Sequence, residues 1–273
     1  MRQAATSHTR GMSTAPARIP LARALPLPLP GAPSAGQAPP LPGVSIVLPC
    51  FDEEENVVEA IRAARLAGRR AARAHEVIVV DDGSRDRTRE RALAAAAEDA
   101  DVRVVVHEDN LGYGAALRSG IAAASQPWIL LTDADLQFDL TQLEDFLPFT
   151  GQADLLLGRR ILRMDPLGRR ISADLWNRLV RFVFRLPVRD VDCAFKLVRA
   201  ELVGGIQLTC SGAMISTELV VRCIRRGARV RQLGVRHRPR VAGHQTGNSP
   251  RVVARAFREL AGARRELGRL PRP

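Results

Sequence analysis

The sequence predicts an α/β fold in which a mostly parallel sheet carries helices on both faces. From residue 43 onward, short and almost continuously apolar runs recur, which is typical of strands that are buried on both sides. Segments of helical composition separate these runs, so successive strands can lie parallel. Polar or glycine-containing turns follow the runs. Because ligands of open α/β sheets bind beyond the carboxyl ends of the strands, we expect the functional residues in these turns.

The predicted elements alternate in a regular order. Apolar runs predict strands at residues 44–49, 76–80, 102–106, 128–131 and 154–157. The segments between and after them predict helices at residues 53–74, 84–97, 115–124 and 141–149. Pro49 is expected to end the first strand. Ser84 is expected to cap the second helix, because its hydroxyl can accept a hydrogen bond from an unpaired backbone amide.

Residues 1–42 differ in composition from the rest of the chain. They hold nine of the 18 prolines and no acidic residue, and proline at every second position of residues 25–30 forbids a helix. We interpret this segment as a disordered, partly polyproline tail and not as a signal peptide. No stretch of about 18 apolar residues predicts a membrane span. Four cysteines without metal-ligand spacing fit free thiols in a reducing cytoplasm.

The net charge of +12 is distributed unevenly. Residues 43–155 carry 21 acidic and 11 basic residues, whereas residues 156–273 carry eight acidic and 26 basic residues. An acidic half that needs a cation beside a basic half that needs an anion indicates an enzyme with two phosphate-containing substrates. A non-catalytic nucleotide or nucleic-acid binding module is the alternative from another class. A groove in which aromatic side chains stack on bases is not supported for such a module, because only 4% of the residues are aromatic.

Two carboxylates one residue apart follow the fourth predicted strand. Asp133 and Asp135 can both reach one divalent ion, and Gln137 adds a neutral oxygen. Ligands that are all oxygen suit Mg²⁺ or Mn²⁺, which would bridge to the pyrophosphate of a nucleotide. The alternative is a solvated turn with a helix cap. Other strand ends are acidic as well, and clustered carboxylates repel one another, so a counter-cation is expected at this edge.

The turns after the second and third strands leave two interpretations open. Asp81 and Asp82 either form a turn and helix cap or accept hydrogen bonds from a nucleobase or ribose. Gly112 and Gly114 either serve the turn alone or let the backbone approach a ligand closely. No G-x-G-x-x-G opens a helix after the first strand, so a dinucleotide cofactor is not predicted.

Four motifs follow the strands in order, namely Ser45-Ile-Val-Leu-Pro-Cys-Phe-Asp-Glu-Glu-Glu-Asn56, Val79-Val-Asp-Asp-Gly-Ser84, Asn110-Leu-Gly-Tyr-Gly114 and Asp133-Ala-Asp-Leu-Gln137. This series resembles family 2 glycosyltransferases with the GT-A fold, in the branch of dolichol-phosphate mannosyltransferase and bacterial polyprenyl-phosphate glycosyltransferases. Further segments that resemble this branch are Gly158-Arg159, Val191-Asp-Cys-Ala-Phe-Lys196, Ser216-Thr-Glu-Leu219 and Val235-Arg-His-Arg-Pro-Arg240 with Gly243. The resemblance covers residues 43–260.

The resemblance implies a nucleotide-sugar-binding half at residues 43–157, an acceptor-binding half at 158–250 with acceptor-side helices, and a basic amphipathic C-terminal helix or tail at 251–273. The catalytic group would comprise Asp133, Asp135 and Arg240, with Arg240 closing over the pyrophosphate. The residues implied to bind donor or acceptor are Pro49, Phe51 and Glu53 (base and ribose), Val80, Asp81, Asp82, Gly112, Asp133, Ala134 and Asp135 (nucleotide and metal), Arg159, Arg169, Arg170 and Ser172 (acceptor phosphate), and Arg240.

Two positions depart from the pattern of this branch. Phe51 stands where tyrosine is common, which retains stacking but loses a hydroxyl contact. Ala194 stands where glycine is common, which puts the local backbone there in doubt.

The predicted reaction is inverting transfer of a hexose from a UDP- or GDP-sugar to a polyprenyl phosphate. A lipid phosphate is already anionic near pH 7 and needs no general base, whereas a hydroxyl acceptor would need one. The alternative is therefore a family 2 transferase with a soluble or saccharide hydroxyl acceptor, for which Asp190 or Asp192 is the candidate base. Glu218 could orient an acceptor or make a structural hydrogen bond. His237 could contact a metal or phosphate, although a solvated basic strand is the preferred interpretation.

Membrane contact is a further prediction, together with a cytoplasmic location at the inner face of the membrane. Residues 171–186 place apolar side chains along one side at helical spacing, interrupted by arginines. Such a helix could lie in an anionic membrane interface. The alternative is ordinary packing against the sheet. Residues 251–270 form a second basic amphipathic candidate with the same two interpretations.

Overall fold

The computed structural model describes residues 38–161, 167–240 and 250–268. Most of the predicted tail at residues 1–42 lies outside the described residues, as do Gly243 and residues 269–273. The side chains of Arg169, Arg170 and Ile171 also lie outside what the structure describes.

Seven strands form one sheet in the order β3-β2-β1-β4-β6-β5-β7. Six strands run in the same direction, and β6 is antiparallel to both of its neighbours, β4 and β5. The strands are β1 (Val44–Cys50), β2 (His75–Asp82), β3 (Val102–His107), β4 (Trp128–Leu131), β5 (Leu155–Ile161), β6 (Lys196–Arg199) and β7 (Val230–Arg236). The predicted, mostly parallel sheet is confirmed, whereas β6 was not predicted and β7 was considered only as a basic strand near His237.

Helices cover both faces of the sheet. They are α1 (Val57–Ala71), α2 (Thr88–Glu98), α3 (Tyr113–Ala123), α4 (Leu167–Phe184), α5 (Ala200–Val203), α6 (Met214–Arg225) and α7 (Pro250–Gly268), together with a 3-10 helix at Leu140–Phe149. Successive side chains of a strand point to opposite faces, and the core divides accordingly. Leu130 packs among side chains of α1 and the 3-10 helix, whereas Leu131 packs among those of α3, α4 and α6.

Two expected element boundaries are wrong. Pro49 does not end β1, because the strand continues to Cys50 and remains in register with β2. Ser84 does not cap α2, which begins four residues later at Thr88. The hydroxyl of Ser84 instead accepts a hydrogen bond from the Asp52 amide at 3.1 Å, and the carboxylate of Asp86 accepts from the Thr88 amide at 2.9 Å.

The second half of the chain adds the helices α4 to α7. Among the described helices, α7 contacts both α4 and α6. Its Phe257 ring meets Trp176 of α4 edge-on, with the ring centroids 5.2 Å apart. Glu259 of α7 accepts a hydrogen bond from the Gly212 amide at 2.9 Å. Within the described residues, no helix combines the length and apolar character needed to cross a membrane.

Candidate active site

The two aspartates after β4 lie at the carboxyl edge of the sheet. The phenol of Tyr113 donates to Asp133 Oδ1 at 3.0 Å, and the backbone amide of Gln137 donates to Asp135 Oδ1 at 3.1 Å. Directly after Asp135, Leu136 has a φ of 59°, a left-handed conformation that is unusual for leucine. Such local strain is most often found at functional sites.

The electrostatics of this pair favour a cation. Asp135 is 8% exposed, and burial together with the negative charge of Asp133 raises its pKa to about 7. Burial also raises the pKa of Asp133. Two carboxylates that share a partly desolvated site resist ionisation unless a positive charge lies beside them.

An arginine from the far end of the chain supplies one such charge. Arg240 forms an ion pair with Glu53, which follows β1, and its guanidinium lies 3.8 Å from Asp135 Oδ2. Glu53 is itself held in place, because its backbone amide donates to Thr88 Oγ1 at 2.8 Å. The structure therefore brings together Glu53, Asp135 and Arg240, which the resemblance assigned to ribose, metal and pyrophosphate.

Gln137 connects the aspartates to the segment after β7. Its side-chain amide donates to the Arg238 carbonyl at 3.1 Å, and its own carbonyl accepts from the Arg238 amide at 2.8 Å. This use of the amide nitrogen leaves Oε1 as the atom that could reach a cation. His237 is 8% exposed and meets the Phe138 ring edge-on at 5.2 Å. The expected solvated strand is thus wrong at His237, because its ring packs against an aromatic ring.

Asp81 and Asp82 are both buried and already hydrogen-bonded to protein groups. Asp81 accepts from the Ser84 amide at 3.3 Å and from the Arg89 guanidinium at 3.0 Å. Asp82 accepts from the amides of Leu111 at 3.0 Å and Gly112 at 2.8 Å, and it also contacts a histidine. A carboxylate has about four acceptor sites, so neither is saturated, although the side chains of Asp81 and Asp82 are only 0% and 4% exposed. Both carboxylates therefore stabilise the turns after β2 and β3 without any ligand.

The two glycines after β3 are needed for different reasons. Gly112 has a φ of 93°, a left-handed value that favours glycine, at the position before α3. The Gly114 amide donates to the Ser211 carbonyl at 2.9 Å. A Cβ at Gly114 would lie 2.3 Å from the Cys210 carbonyl oxygen, so close packing against residues 209–212 requires glycine there. The close backbone approach at Gly114 is therefore to protein.

The remaining residues that the resemblance assigns to the nucleotide differ in accessibility. Val80 and Ala134 are buried in the apolar core at 0% and 2% exposure, and only their backbones could serve a ligand. Pro49 and Phe51 are partly exposed at the end of β1. The structure therefore leaves Phe51 as the aromatic side chain at this strand end that could stack on a base.

Two neighbouring arginines at the end of β5 have different environments. Arg160 binds Asp190 through two hydrogen bonds of 2.9 and 2.8 Å. Burial alone would raise the pKa of Asp190, but the Arg160 guanidinium holds it below its usual value. Arg159 is partly exposed, and its side chain makes no ion pair or hydrogen bond within the described part of the chain. Ser172 is exposed on α4. Arg159 is thus available to an anion, whereas Asp190 is occupied.

Two residues of the site were missed by the sequence interpretation. Tyr113 contacts Asp133 directly, and its signal was a single tyrosine between two glycines. Lys196, the only lysine of the chain, is fully buried on β6 and donates to the Cys193 carbonyl. Burial lowers the pKa of Lys196, and its charge helps to lower that of Asp133. A lone lysine in a chain rich in arginine was a signal for this position.

Glu218 has a structural role in the described residues. Its carboxylate accepts from the amides of Thr209 at 2.9 Å and Cys210 at 2.8 Å, and from the Arg222 guanidinium at 2.8 Å. These bonds hold the segment against which Gly114 packs. Of the two interpretations left open for Glu218, the structural hydrogen bond is therefore the one supported.

The donor set at Asp133, Asp135 and Gln137 fits a hard divalent cation. All candidate atoms are oxygens, and burial raises the pKa of both carboxyls, so a bound cation would stabilise their ionised forms. Within the described residues, no group of three or more His, Cys, Asp or Glu side chains is arranged to hold a metal. Such an ion would therefore take further ligands from water and from the phosphates of a substrate, as Mg²⁺ usually does.

Comparison with known proteins identifies the family of this chain. The chain matches the model for glycosyl transferase family 2 over residues 45–205. Glycosyltransferase AglD of Haloferax volcanii is 32% identical over 207 residues, 72% of this chain and 33% of AglD. Undecaprenyl-phosphate 4-deoxy-4-formamido-L-arabinose transferase of Pseudomonas paraeruginosa is 32% identical over 166 residues, 60% of this chain and 49% of that protein. The chain thus spans a third to a half of these relatives.

A solved structure shows the same architecture. Glucosyl-3-phosphoglycerate synthase of Mycobacterium tuberculosis, crystallised with Mn²⁺ and UDP-glucose, superimposes with a TM-score of 0.65 at 20% identity, over 93% of this chain and 89% of that one. The mostly parallel seven-stranded sheet is accordingly the GT-A fold. On the match over more than half of its length, the chain belongs to glycosyl transferase family 2.

Proposed function

We propose that this family 2 glycosyltransferase moves a hexose from a UDP- or GDP-sugar to a polyprenyl phosphate and inverts the anomeric carbon. The observation that carries the proposal is the cluster of Asp133, Asp135, Glu53 and Arg240 at the carboxyl edge of the sheet. This cluster lies where the nucleotide of an α/β sheet binds. The name of one relative, an undecaprenyl-phosphate sugar transferase, supports the lipid acceptor.

The donor end of the site serves the leaving group. Mg²⁺ or Mn²⁺ held by Asp133, Asp135 and Gln137 would supply positive charge for the departing nucleotide diphosphate. Arg240 is next to the same carboxylates, so its guanidinium can donate hydrogen bonds to the pyrophosphate as negative charge develops. We propose that Glu53, whose two oxygens accept from Arg240 and Asn56, also accepts a hydrogen bond from a ribose hydroxyl.

The acceptor end requires cations and no base. An oxygen of the lipid phosphate forms a bond to the anomeric carbon, while the bond from that carbon to the diphosphate oxygen breaks. The nucleoside diphosphate leaves with the electron pair, and no proton has to move. Arg159 is available for the acceptor phosphate, and we propose that Arg169, Arg170 and Ser172 of the next helix assist it.

The hydroxyl-acceptor alternative requires a carboxylate base near the sugar. Asp190 is unsuited to this role, because the bidentate pair with Arg160 stabilises its charged form and occupies both oxygens. Asp192 is partly exposed and is the remaining candidate. The substitution Asp192→Asn would abolish transfer to a hydroxyl acceptor but would leave transfer to a lipid phosphate in place.

The first experiment measures transfer directly. Purified protein is incubated with radiolabelled UDP- or GDP-sugars, undecaprenyl phosphate and Mn²⁺ or Mg²⁺, and labelled lipid is extracted. We expect labelled lipid from the wild type and loss of about 100-fold or more in rate for Asp135→Asn. The matched control is Asp101→Asn, a carboxylate at the amino end of β3 beside His75. Nucleotide release without labelled lipid, in the presence of a saccharide, would favour the hydroxyl acceptor instead.

We also propose that α4 contacts an anionic membrane surface. The predicted apolar face is partly wrong, because Val180 and Leu186 are buried in the core. Phe182 and Leu175 of the same helix are 84% and 68% exposed, and Arg178 and Arg185 beside them are exposed as well. An apolar surface flanked by arginines is complementary to anionic headgroups above acyl chains.

Flotation with liposomes tests the membrane contact. We expect the protein to float with vesicles that contain anionic phospholipid and to float less when Phe182 is replaced by serine. Leu66→Ser is the matched control, because Leu66 is 51% exposed on α1 in the acidic half of the chain. Equal flotation of both variants, or flotation with neutral vesicles alone, would exclude α4 as the contact.

A further inference from the structure

His107 connects helix α3 to the carboxylate of Asp82. It is the last residue of β3, and 9% of its side chain is exposed. Its Nδ1 lies 2.7 Å from Asp82 Oδ1, and its Nε2 lies 2.8 Å from Ser119 Oγ. In a neutral ring, Nδ1–H donates to the carboxylate and Nε2 accepts the serine proton. Both ring nitrogens are therefore engaged, which fixes the orientation of the imidazole.

The carboxylate that His107 holds sets the start of α3. Asp82 accepts from the amides of Leu111 at 3.0 Å and Gly112 at 2.8 Å, the two residues before the helix. Ser119 lies further along the same helix. His107 thus reaches α3 at two places, at its beginning through Asp82 and in its second turn through the serine hydroxyl. Two anchors on one short helix restrict both its rotation and its translation along the sheet.

The position of α3 matters for the aspartates because Tyr113 is its first residue. The Tyr113 hydroxyl donates to Asp133 Oδ1 at 3.0 Å, so a shift of the helix would move this donor away from the carboxylate. We propose that His107 is a positioning residue of the nucleotide end of the site, acting through Asp82, Ser119 and Tyr113. This inference rests on the proposed function.

Three substitutions separate the two contacts of the ring. Asparagine at position 107 places an amide near the former Nδ1 and preserves the contact with Asp82. Glutamine places its amide near the former Nε2 and preserves only the contact with Ser119. Phenylalanine retains the ring and removes both. His75→Phe is the matched control, because it removes a histidine contact with Asp101 at the opposite edge of the sheet.

Calorimetric titration with UDP and with GDP, each in the presence of Mn²⁺, gives the first readout. For whichever nucleotide the wild type binds, we expect His107→Phe and His107→Gln to raise Kd about 10-fold, the usual loss when a supporting partner is removed. His107→Asn and His75→Phe should remain close to wild type. Because Asn and Gln are both isosteric fragments of the ring, their difference stays informative if the phenylalanine variant folds poorly.

Amide hydrogen exchange at Leu111 and Gly112, without any ligand, gives the second readout. We expect exchange there to accelerate in His107→Phe and His107→Gln and to stay slow in His107→Asn. Equal Kd values for the Asn and Gln variants, or unchanged exchange in both, would overturn the positioning role. A wild type that binds neither nucleotide would overturn the proposed function instead, and the exchange data would still show whether His107 holds the loop.

Discussion

The substitution Asp135→Asn should stabilise the protein at alkaline pH while it removes activity. The pKa of Asp135 rises from 3.8 to about 7 in the folded chain, mainly because of burial and then because of Asp133. Each pKa unit corresponds to about 1.4 kcal/mol, so ionising this carboxyl costs the folded chain about 4 kcal/mol. Asparagine keeps an oxygen that can accept from the Gln137 amide, and it carries no charge.

The sign of the effect follows from proton binding. Below pH 3.8 the carboxyl is protonated in both states and contributes nothing. Between pH 3.8 and about 7 the unfolded chain has released the proton while the folded chain retains it, so stability falls as the pH rises through this window. Above that window the full penalty applies. Carboxyls with a lowered pKa, such as Asp154, change stability at more acidic pH and do so equally in both proteins.

Urea denaturation in a metal chelator, followed by tryptophan fluorescence, measures the difference. We expect Asp135→Asn and wild type to be similar near pH 4 and the variant to be more stable by about 4 kcal/mol at pH 8. Added Mn²⁺ should stabilise the wild type and not the variant. Asp101→Asn serves as the control. A difference that does not change between pH 4 and pH 8, or a less stable variant at pH 8, would refute the reasoning.

Three further predictions concern contacts around the site and the opposite edge of the sheet. Burial opposes ionisation of Glu76, but hydrogen bonds from Ser45 and Ser125 lower its pKa. Glu76→Gln should therefore lower the free energy of unfolding at pH 7 by about 1–3 kcal/mol, measured by urea denaturation, and this loss should shrink below pH 4. Gly114→Ala should lower Tm and cost about 1–3 kcal/mol, because the new Cβ would lie 2.3 Å from the Cys210 carbonyl oxygen. Arg240→Met should reduce kcat about 100-fold and also lower Tm, because Glu53 and Asp135 lose a largely buried counter-charge, which steady-state kinetics and thermal denaturation would check.

Most of the sheet could be predicted from the sequence because parallel strands buried on both faces are continuously apolar. Runs such as residues 128–131 favour a buried strand because four residues between turn signals are too few for a helix. The antiparallel strand β6 escaped prediction for a physical reason. Its four residues, Lys196–Arg199, begin and end with a positive charge, and only the tertiary structure shows that the lysine is buried between β4 and β5.

The candidate site likewise contains some residues that could be predicted from local sequence and others that could not. Asp133 and Asp135 could be found from local sequence because both chemistry and position depend on a single strand end. The ion pair of Arg240 with Glu53 could not, since 187 positions separate the two residues and no local pattern reports the pairing. His107 was missed because its contacts with Asp82 and Ser119 depend on three separate elements.

The balance of charge explains why Arg240 lies beside the carboxylates of the candidate site. In the described residues, the carboxylates of Asp133, Asp135 and Glu53 are influenced by three side-chain cations, namely Arg240, the buried Lys196 and Arg160, which is itself paired with Asp190. Lys196 lies in the sheet and stays fixed, whereas Arg240 lies beyond the end of β7. A divalent cation bound to the aspartates would satisfy them without the guanidinium. Arg240 would then be the charge available to the diphosphate, so binding of the metal and recruitment of Arg240 to the leaving group should be coupled.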